Sequence, residues 1–182
     1  MSNNLAGVHT YGDALTVVYQ GPLGTTAPVA LAAPGVAYKD VGFLGDAGLS
    51  LANKVSVSKF KALQGGQLVK TKVTDTERSF KFVALEENAV TFGLMYPGAT
   101  GATATGVSTI TVPSGTTSDP RAWVIDLYEG TSVQTRYIIP NGTVGDRGDV
   151  AFKNDDLTAY EFTVDIIGGF SIVTNSGAVT YP

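Results

Sequence analysis

Alternation of apolar and polar side chains at every second residue is the feature that most constrains this chain. In the segment RAWVIDLYEG, Trp123, Ile125 and Leu127 share one face of an extended chain, while Asp126 and Tyr128 share the other. The same period recurs in SVQTRYII and AYEFTVDII, and less regularly in LTVVYQ, LVKTKVT and SFKFVAL. This pattern is typical of antiparallel strands with one buried and one solvated face. We therefore expect a mainly β fold with about eight or nine strands.

One stretch departs from this period. In EENAVTFGLMY, Ala89, Phe92 and either Met95 or Tyr96 recur at helical spacing, and the Pro-Gly that follows ends the run. Glu86 and Glu87 stand where the dipole at a helix N-terminus favours negative charge. The sequence therefore predicts one short helix at about residues 87–96, lying beside the strands.

Glycine, proline and small polar residues predict three irregular regions. Residues 22–35 read as an extended arm, and residues 98–119 as a Gly/Ala/Thr/Ser-rich loop in which only residues 107–112 have strand character. The segment SIVTNSGAVT, with its Asn-Ser-Gly turn, predicts a C-terminal hairpin. Because 182 residues fit one domain, we expect residues 1–182 to form a single domain of antiparallel strands.

The charge of the chain is unevenly distributed. Seven basic residues lie between Lys54 and Lys81, where the only acidic residues are Asp75 and Glu77. By contrast, residues 101–182 carry four basic and nine acidic residues, a net charge of −5. Aromatic residues are not interleaved with the lysines in a base-stacking pattern. The basic segment therefore favours a solvated face of a sheet over a nucleic-acid surface.

Several functional classes lack the residues that they need. The chain has no cysteine, which excludes disulfides, thiolate metal sites and a cysteine nucleophile, and favours synthesis in a reducing cytoplasm. Its first ten residues lack the charged and apolar regions of a secretion signal, and no apolar run is long enough to span a bilayer. We expect a protein that does not associate with a membrane.

Catalytic groups are sparse as well. The only histidine, His9, lies near a terminus, and we interpret it as a surface polar residue. The pairs Glu86-Glu87 and Asp155-Asp156 are adjacent in sequence, so in a strand their carboxylates point to opposite faces and cannot share a proton. Gly65-Gly66 reads as a turn and not as a phosphate loop. We expect no enzymatic activity, no cofactor and no metal.

The stretch GDRGDVAFKNDD, residues 145–156, combines four aspartates with an Arg-Gly-Asp sequence. No register of it supplies the ligand pattern of a calcium-binding EF-hand loop. Arg-Gly-Asp is short enough to occur by chance, and so is the glycosylation sequon Asn141-Gly142-Thr143. We interpret the stretch as a short strand around Val150 and Phe152, bracketed by two acidic turns.

A longer run around this stretch resembles the major tail proteins of long non-contractile-tailed phages, particularly those that infect actinobacteria. The matching features occur in the family's order: a Trp strand, an Arg strand that ends at Pro, an acidic RGD turn, an ND turn and a Tyr-rich strand. In this chain they are Trp123, Arg136 to Pro140, Asp146 to Asp149, Asn154 to Asp156, and Tyr160. GFLGDAGLSL, KALQGG and ALEENAVTFGLMY extend the resemblance upstream, so that it covers roughly residues 38–168.

The resemblance implies a structural virion protein. Family members have a β-sandwich or partly open barrel with a flanking helix, and they assemble into hexameric rings that stack into the tail tube. The implied partners are other copies of the chain and the tape-measure, tail-tip and tail-terminator proteins, while DNA passes through the lumen without specific binding. The implied location is the virion tail, after synthesis in the cytoplasm of the bacterial host.

Two sets of residues are candidates for assembly contacts. The acidic stretch predicts contacts between subunits of a ring, made by Asp146, Arg147, Asp149, Asp155 and Asp156. We expect Arg147 to pair with a carboxylate of its own chain or of its neighbour.

The arm and the basic loop around Lys54 to Gln67 predict contacts between rings, since flexible segments can become ordered on assembly. Their candidate residues are Pro28, Lys54, Lys59, Lys61 and Gln64. The alternative function is a non-catalytic β-sandwich binding module, either carbohydrate-binding or a virion decoration protein. A sugar-binding module would need several aromatic residues on one exposed surface.

Overall fold

The structure, a computed structural model, describes residues 7–179. In this range the chain is mainly β, with one helix that is too short to cross a membrane. The elements, in chain order, are β1 (Val17–Pro22), β2 (Lys39–Asp40), β3 (Ser50–Lys61), β4 (Leu68–Ala84), α1 (Ala89–Met95), β5 (Thr100–Ala104), β6 (Val107–Thr111), β7 (Pro120–Glu129), β8 (Val133–Arg147), β9 (Tyr160–Ile166) and β10 (Ser171–Thr174).

One large antiparallel sheet organises the fold. Its strands follow the order β2-β1-β7-β8-β9-β4-β3, and β10 pairs with β8. β9 and β10 share one edge of β8, since β10 pairs with residues 135–138 of β8 and β9 with residues 142–147. The two strands therefore run in line, separated by the short break at residues 167–170.

The sheet curls around its own core. The rings of Phe80 in β4 and Trp123 in β7 lie 5.3 Å apart, although two other strands separate β4 from β7 in the sheet. The open side is bridged where Leu44 pairs with Ala84, but the described strands do not close into a barrel. The core consists of Val18, Val41, Phe80, Phe82, Ala84, Leu94, Trp123, Ile125, Ile139, Val144, Tyr160, Phe162 and Val164. The predicted antiparallel β architecture with one flanking helix is confirmed.

The expectation of one solvated face is correct for β9 but wrong for β7 and β8. Val124 and Asp126 in β7 are buried, and so are Gln134 and Arg136 in β8. The segment before β2 covers this second face: its Tyr38 packs with Tyr19 of β1 and with Ala122 and Val124 of β7. The alternation in the sequence therefore assigned each side chain to the correct face of its strand. It did not reveal that a distant segment covers the polar face.

The helix begins and ends close to its predicted bounds. Asn88 caps it, since its side-chain oxygen accepts hydrogen bonds from the backbone N–H groups of Val90 and Thr91 at 2.9 Å. Leu94 is a buried core residue, so its side chain packs the helix against the sheet. Glu86 and Glu87 lie before the cap and not in the first turn, because Asn88 satisfies the first free N–H groups.

Three local predictions need correction. Residues 98–119 contain a second, two-stranded sheet formed by β5 and β6, where only β6 was expected. Residues 150–152 are not a strand, because β8 itself continues through Arg147 and an irregular connection follows. Residues 171–174 pair with β8 and not with the residues after the Asn-Ser-Gly turn, of which Thr180 lies outside the described range.

Candidate assembly surfaces

A long hairpin of β3 and β4 extends beyond the rest of the sheet. The two strands pair from Ser50 and Lys81 to Lys61 and Leu68. β4 also pairs with β9, but only over residues 79–84. Residues 53–78, which we call the projecting hairpin, therefore have no strand neighbour within the described part of the chain.

The projecting hairpin has two faces, and both are chemically mixed. Val55, Val57 and Val73 lie on the face that continues from the buried ring of Phe80, and each valine is 43–57% exposed. The pairing register places Asn53, Lys59, Lys61, Thr76 and Arg78 on that same face. The opposite face carries Phe60 together with charged and hydroxyl side chains, among them Lys54, Ser56, Ser58, Lys72, Asp75 and Glu77. Valines thus continue the inner face of the sheet past the core into solvent, between polar and basic side chains.

The tip of the hairpin is a tight turn. Gly65 and Gly66 both have a positive φ, +73° and +68°, a conformation that favours glycine. The backbone N–H of Ala62 donates to the carbonyl of Gln67 at 2.7 Å and closes the turn. Leu63 is 98% exposed there, so the most prominent side chain of the tip is apolar.

The structure brings four of the five predicted inter-ring residues onto this hairpin. Lys54, Lys59, Lys61 and Gln64 are all exposed on it, whereas Pro28 lies apart in the arm and is half-buried. The expected loop around Lys54 to Gln67 is mostly strand β3, and only its end is a turn. The alternation KVSVSKFK has the strand period, although no other strand or helix of residues 7–179 covers either face.

The acidic stretch is split between a strand and a connection. Asp146 and Arg147 belong to β8, while Asp149, Asp155 and Asp156 are exposed in the irregular segment that follows. Among residues 7–179 no group of three or more acidic or histidine side chains is arranged to hold a metal ion. The stretch therefore presents separate carboxylates at the end of β8 and along the connection that follows.

Arg147 contacts backbone carbonyls in this structure. Its Nε donates to the carbonyl of Leu94 at 2.7 Å, and its Nη1 to the carbonyl of Val144 at 3.4 Å. The Leu94 carbonyl belongs to the last turn of α1, where positive charge is favourable. Burial lowers the pKa of the Arg147 guanidinium below its ordinary value. Arg147 makes no ion pair with a carboxylate of the described chain, so the expected pairing would require a neighbouring copy.

A buried ion pair in the sheet is hydrogen-bonded to the arm. Arg136 donates from Nε and Nη2 to the two carboxylate oxygens of Asp126, at 2.6 and 2.7 Å. Its Nη1 donates to the carbonyls of Ala30 and Ala32, at 3.0 and 2.5 Å. The arm has no strand or helix of its own, yet it supplies acceptors to a buried guanidinium.

His9 lies in a chain of polar contacts. Its Nδ1 is 2.5 Å from Oε2 of Glu129 and its Nε2 is 2.9 Å from Oγ of Ser176, the order of groups found in serine hydrolases. Ser176 is only 6% exposed, however, and neither Ser176 nor His9 lines the cavity of about 720 Å³ that lies between the segments before β1 and before β3. The contacts join the N-terminal segment to β7 and to the segment after β10.

Comparison with solved structures gives distant likenesses. The tail of an empty gene transfer agent particle, refined helically with C6 symmetry, is 9% identical, with a TM-score of 0.48, covering 86% of this chain and 93% of that one. The virion of a native gene transfer agent is 8% identical, with a TM-score of 0.46, covering 87% and 95%. The six-fold symmetrised baseplate of the anti-feeding prophage is 11% identical, with a TM-score of 0.49, covering 91% and 97%. No curated protein matches the chain.

A family model gives the assignment. The model described as "Phage tail tube protein" matches residues 6–170. The match includes the projecting hairpin, the helix and the strands that form the core. Because it spans far more than half of the 182 residues, this chain belongs to the phage tail tube protein family.

Proposed function

We propose that this protein is the tube subunit of a long, non-contractile phage tail of the actinobacteriophage type. Copies form hexameric rings, the rings stack into a tube, and DNA passes through its lumen into the host. The role is structural and not enzymatic. The observation that carries the proposal, besides family membership, is the projecting hairpin, on which Val55, Val57 and Val73 are exposed and with which no further strand of the described chain pairs.

The edge of the sheet supports assembly as well. β3 is an edge strand of 12 residues, paired on one side with β4. The free side of this strand has unpaired backbone N–H and C=O groups, which a strand of a neighbouring copy could pair. A head-to-tail contact that closes by rotation gives a ring, and repetition of contacts along the axis gives a tube.

Charge distribution fits a channel for DNA. The projecting hairpin carries six basic and two acidic residues, a net +4, so the remainder of the chain carries −8 and the whole −4. Duplex DNA has one negative charge per about 1.7 Å, and a basic wall would bind it tightly. If subunit contacts use the basic hairpin, an acidic remainder is left to face the DNA, which can then slide.

The acidic stretch and the arm complete the proposed contacts. We assign Asp146, Arg147, Asp149, Asp155 and Asp156 to the contact between neighbours in a ring. The arm, with Pro28, contributes to the contact between rings. The ends of the tube bind the tape-measure, tail-tip and tail-terminator proteins of the same virion.

The alternative function, a sugar-binding module, finds little support. It needs neighbouring exposed aromatic residues, but Trp123, Tyr160 and Phe162 are buried in the core. Among the described residues the most exposed aromatic rings, Phe43 and Phe152, lie on two different loops.

Comparison of the intact chain with a hairpin-shortened variant tests the proposal. In the variant, residues 56–75 are replaced by Asn-Gly, which joins the cross-strand partners Val55 and Thr76 through a two-residue turn. The core lies outside the deleted residues, so the variant should keep the circular dichroism and a single cooperative unfolding transition. Negative-stain microscopy and sedimentation at high protein concentration should show rings or tubes for the intact chain and monomers for the variant.

Two outcomes would contradict the proposal. An intact chain that stays monomeric at every concentration would argue against a tube subunit. Tubes of normal width from the folded variant would show that the hairpin does not carry assembly.

A further inference from the structure

A concave, acidic surface lies on the open side of the curled sheet. It is a cavity of about 720 Å³ between the segment before β1, the segment between β2 and β3, and the end of β7. Four acidic residues line it, namely Asp13, Asp40, Asp46 and Glu86, and no basic residue does. Leu44, Leu49 and Leu127 supply an apolar part of the lining. We call this cavity the acidic groove.

Two of the four carboxylates of the groove are held by backbone hydrogen bonds. Oδ1 of Asp40 accepts from the N–H of Gly42 at 2.7 Å, and Oε1 of Glu86 accepts from the N–H of Phe43 at 3.0 Å. A Cβ on Gly42 would lie 2.4 Å from the Glu86 carboxyl carbon, so glycine is what lets this carboxylate approach. The groove therefore presents a preorganised negative charge beside apolar side chains.

Its rim offers an apolar contact. Phe43 is 76% exposed at the groove, although it neighbours the bridge that ties this segment to β4. A smaller crevice of about 150 Å³ adjoins the groove and is lined only by Leu49, Leu51, Ile125, Leu127 and Tyr137. The surface thus combines four carboxylates with an apolar floor and an exposed ring.

The tip of the projecting hairpin has the complementary chemistry. Leu63 is almost fully exposed, and Lys61 and Lys59 precede it in β3. Lys70 follows the turn in β4 and pairs across from Phe60. The tip is therefore an apolar side chain surrounded by positive charge, and the groove is an apolar floor surrounded by negative charge.

We infer that the hairpin tip of one copy docks into the acidic groove of the next copy. This inference rests on the proposed function and deepens it, because it names both halves of one contact between subunits. Burial of Leu63 against Phe43 and the apolar lining supplies the hydrophobic contribution. The lysines and carboxylates supply orientation and specificity.

The occupant is a second copy because a chain cannot reach its own groove. Leu49, in the groove lining, immediately precedes β3, so the base of the hairpin stands beside the groove. The nine residues Asn53–Lys61 then extend the tip about 30 Å away, at about 3.3 Å per residue. Tip and groove are different surfaces of the same chain, so each copy can use both, and the contact propagates.

Cysteine cross-linking tests this contact directly, because the natural chain has no cysteine. The double variant Leu63→Cys with Phe43→Cys should give, on mild oxidation of assembled protein, a ladder of dimers, trimers and larger species on a non-reducing gel. Each single variant should stay monomeric on that gel. A matched control, Leu63→Cys with Val107→Cys, places the second thiol on the exposed strand β6 and should give no ladder.

Charge reversal gives a second, independent measurement. Lys61→Asp and Asp46→Lys, made separately, should each lower the yield of the cross-linked ladder roughly tenfold, since each sets like charges against one another. The combination of both reversals should restore most of the yield. No restoration would overturn the assignment of these two charged groups to one contact.

The outcomes separate this inference from the proposed function. Tubes that form normally without the Leu63–Phe43 ladder would overturn the tip-in-groove contact and leave the tube function intact. Cross-linking of the Leu63→Cys single variant would show a tip-to-tip contact and would also overturn it. Absence of both tubes and ladder would overturn the inference and the proposed function together.

Discussion

Asp126 and Arg136 form a doubly hydrogen-bonded ion pair that is almost completely removed from solvent. The residues are 3% and 1% exposed, and they lie directly opposite one another in the pairing of β7 with β8. The hydrogen bond to Asp126 raises the pKa of the Arg136 guanidinium above its ordinary value. Because Arg136 also donates to two carbonyls of the arm, the pair couples the arm to the middle of the sheet.

Removing one partner should therefore destabilise the fold strongly. Asp126→Ala leaves a buried guanidinium without its counter-ion, and we expect the free energy of unfolding to fall by about 3–5 kcal/mol. Urea denaturation followed by circular dichroism measures this change. The control Lys81→Ala breaks the exposed pair with Glu161 and should cost less than about 1 kcal/mol. Equal losses for the two variants would contradict the role of burial.

Gly142 and Gly145, both in β8, are a matched pair of positions for alanine substitution. A Cβ on Gly142 would lie 3.0 Å from Val164 and 3.1 Å from the Trp123 ring, both in the core. A Cβ on Gly145 would instead meet the carboxylate of Asp165, an exposed side chain that can move. We expect Gly142→Ala to cost about 1–3 kcal/mol, and Gly145→Ala much less. Thermal unfolding of both variants measures the difference, and a larger loss for Gly145→Ala would contradict it.

Arg147 contributes to the stability of the monomer and, as we propose, to the contact between neighbours in a ring. Arg147→Ala removes the charge-assisted hydrogen bond to the helix carbonyl of Leu94 and should lower the free energy of unfolding by about 1.5–3 kcal/mol. We also expect it to weaken ring formation, measured by sedimentation. Asp149→Asn, at an exposed position, should weaken rings without lowering the unfolding temperature.

Treatment with a chelator tests whether the acidic stretch binds a metal ion. We expect EDTA to leave both the assembly and the unfolding temperature unchanged. A metal ion that binds only the folded chain would stabilise it, so removal of such an ion would lower the unfolding temperature. A lower unfolding temperature in EDTA would show that the acidic stretch holds a cation.

Glu129 should give the protein a pH dependence in the acidic range. The backbone N–H of Thr10, then the His9 side chain, lower the pKa of Glu129 below its ordinary value of 4.5. A carboxylate with a lowered pKa in the folded state adds stability above that ordinary value and loses it as the pH falls through the folded pKa. The difference in unfolding temperature between the natural chain and Glu129→Gln should be largest near neutral pH and shrink below pH 4.5. A difference that stays constant down to pH 3 would contradict this linkage.

Alternation in the sequence predicted strands well where neighbours in the sheet bury one face. Tyr160, Phe162 and Val164 face the core as expected, because β9 lies between two other strands and packs on the helix side. The turn at Gly65-Gly66 also followed from local chemistry. These predictions succeeded because they depend on the backbone preferences of a few adjacent residues.

Predictions that depend on distant segments failed. Val124 and Arg136 sit on the nominally polar faces of β7 and β8, yet both are buried because residues 30–38 cross over them. Conversely, Val55 and Val57 have the spacing of a buried face and remain exposed, because no part of the described chain covers the hairpin. The Asp126–Arg136 pair could have been inferred, since the two residues are symmetric about the turn at residues 130–132.

The uninterrupted course of β4 has a mechanical consequence. This one strand runs from the hairpin turn at Leu68 to the core at Ala84, so a pull on the tip is transmitted along the strand axis. The six residue pairs that join β4 to β9 would then bear the load together, in shear, and would not open one after another. We expect single molecules pulled through residue 63 to resist more force than molecules pulled across β5 and β6, which would unzip from their ends. A tail built on such strands would stretch little while its phage is held at the cell surface.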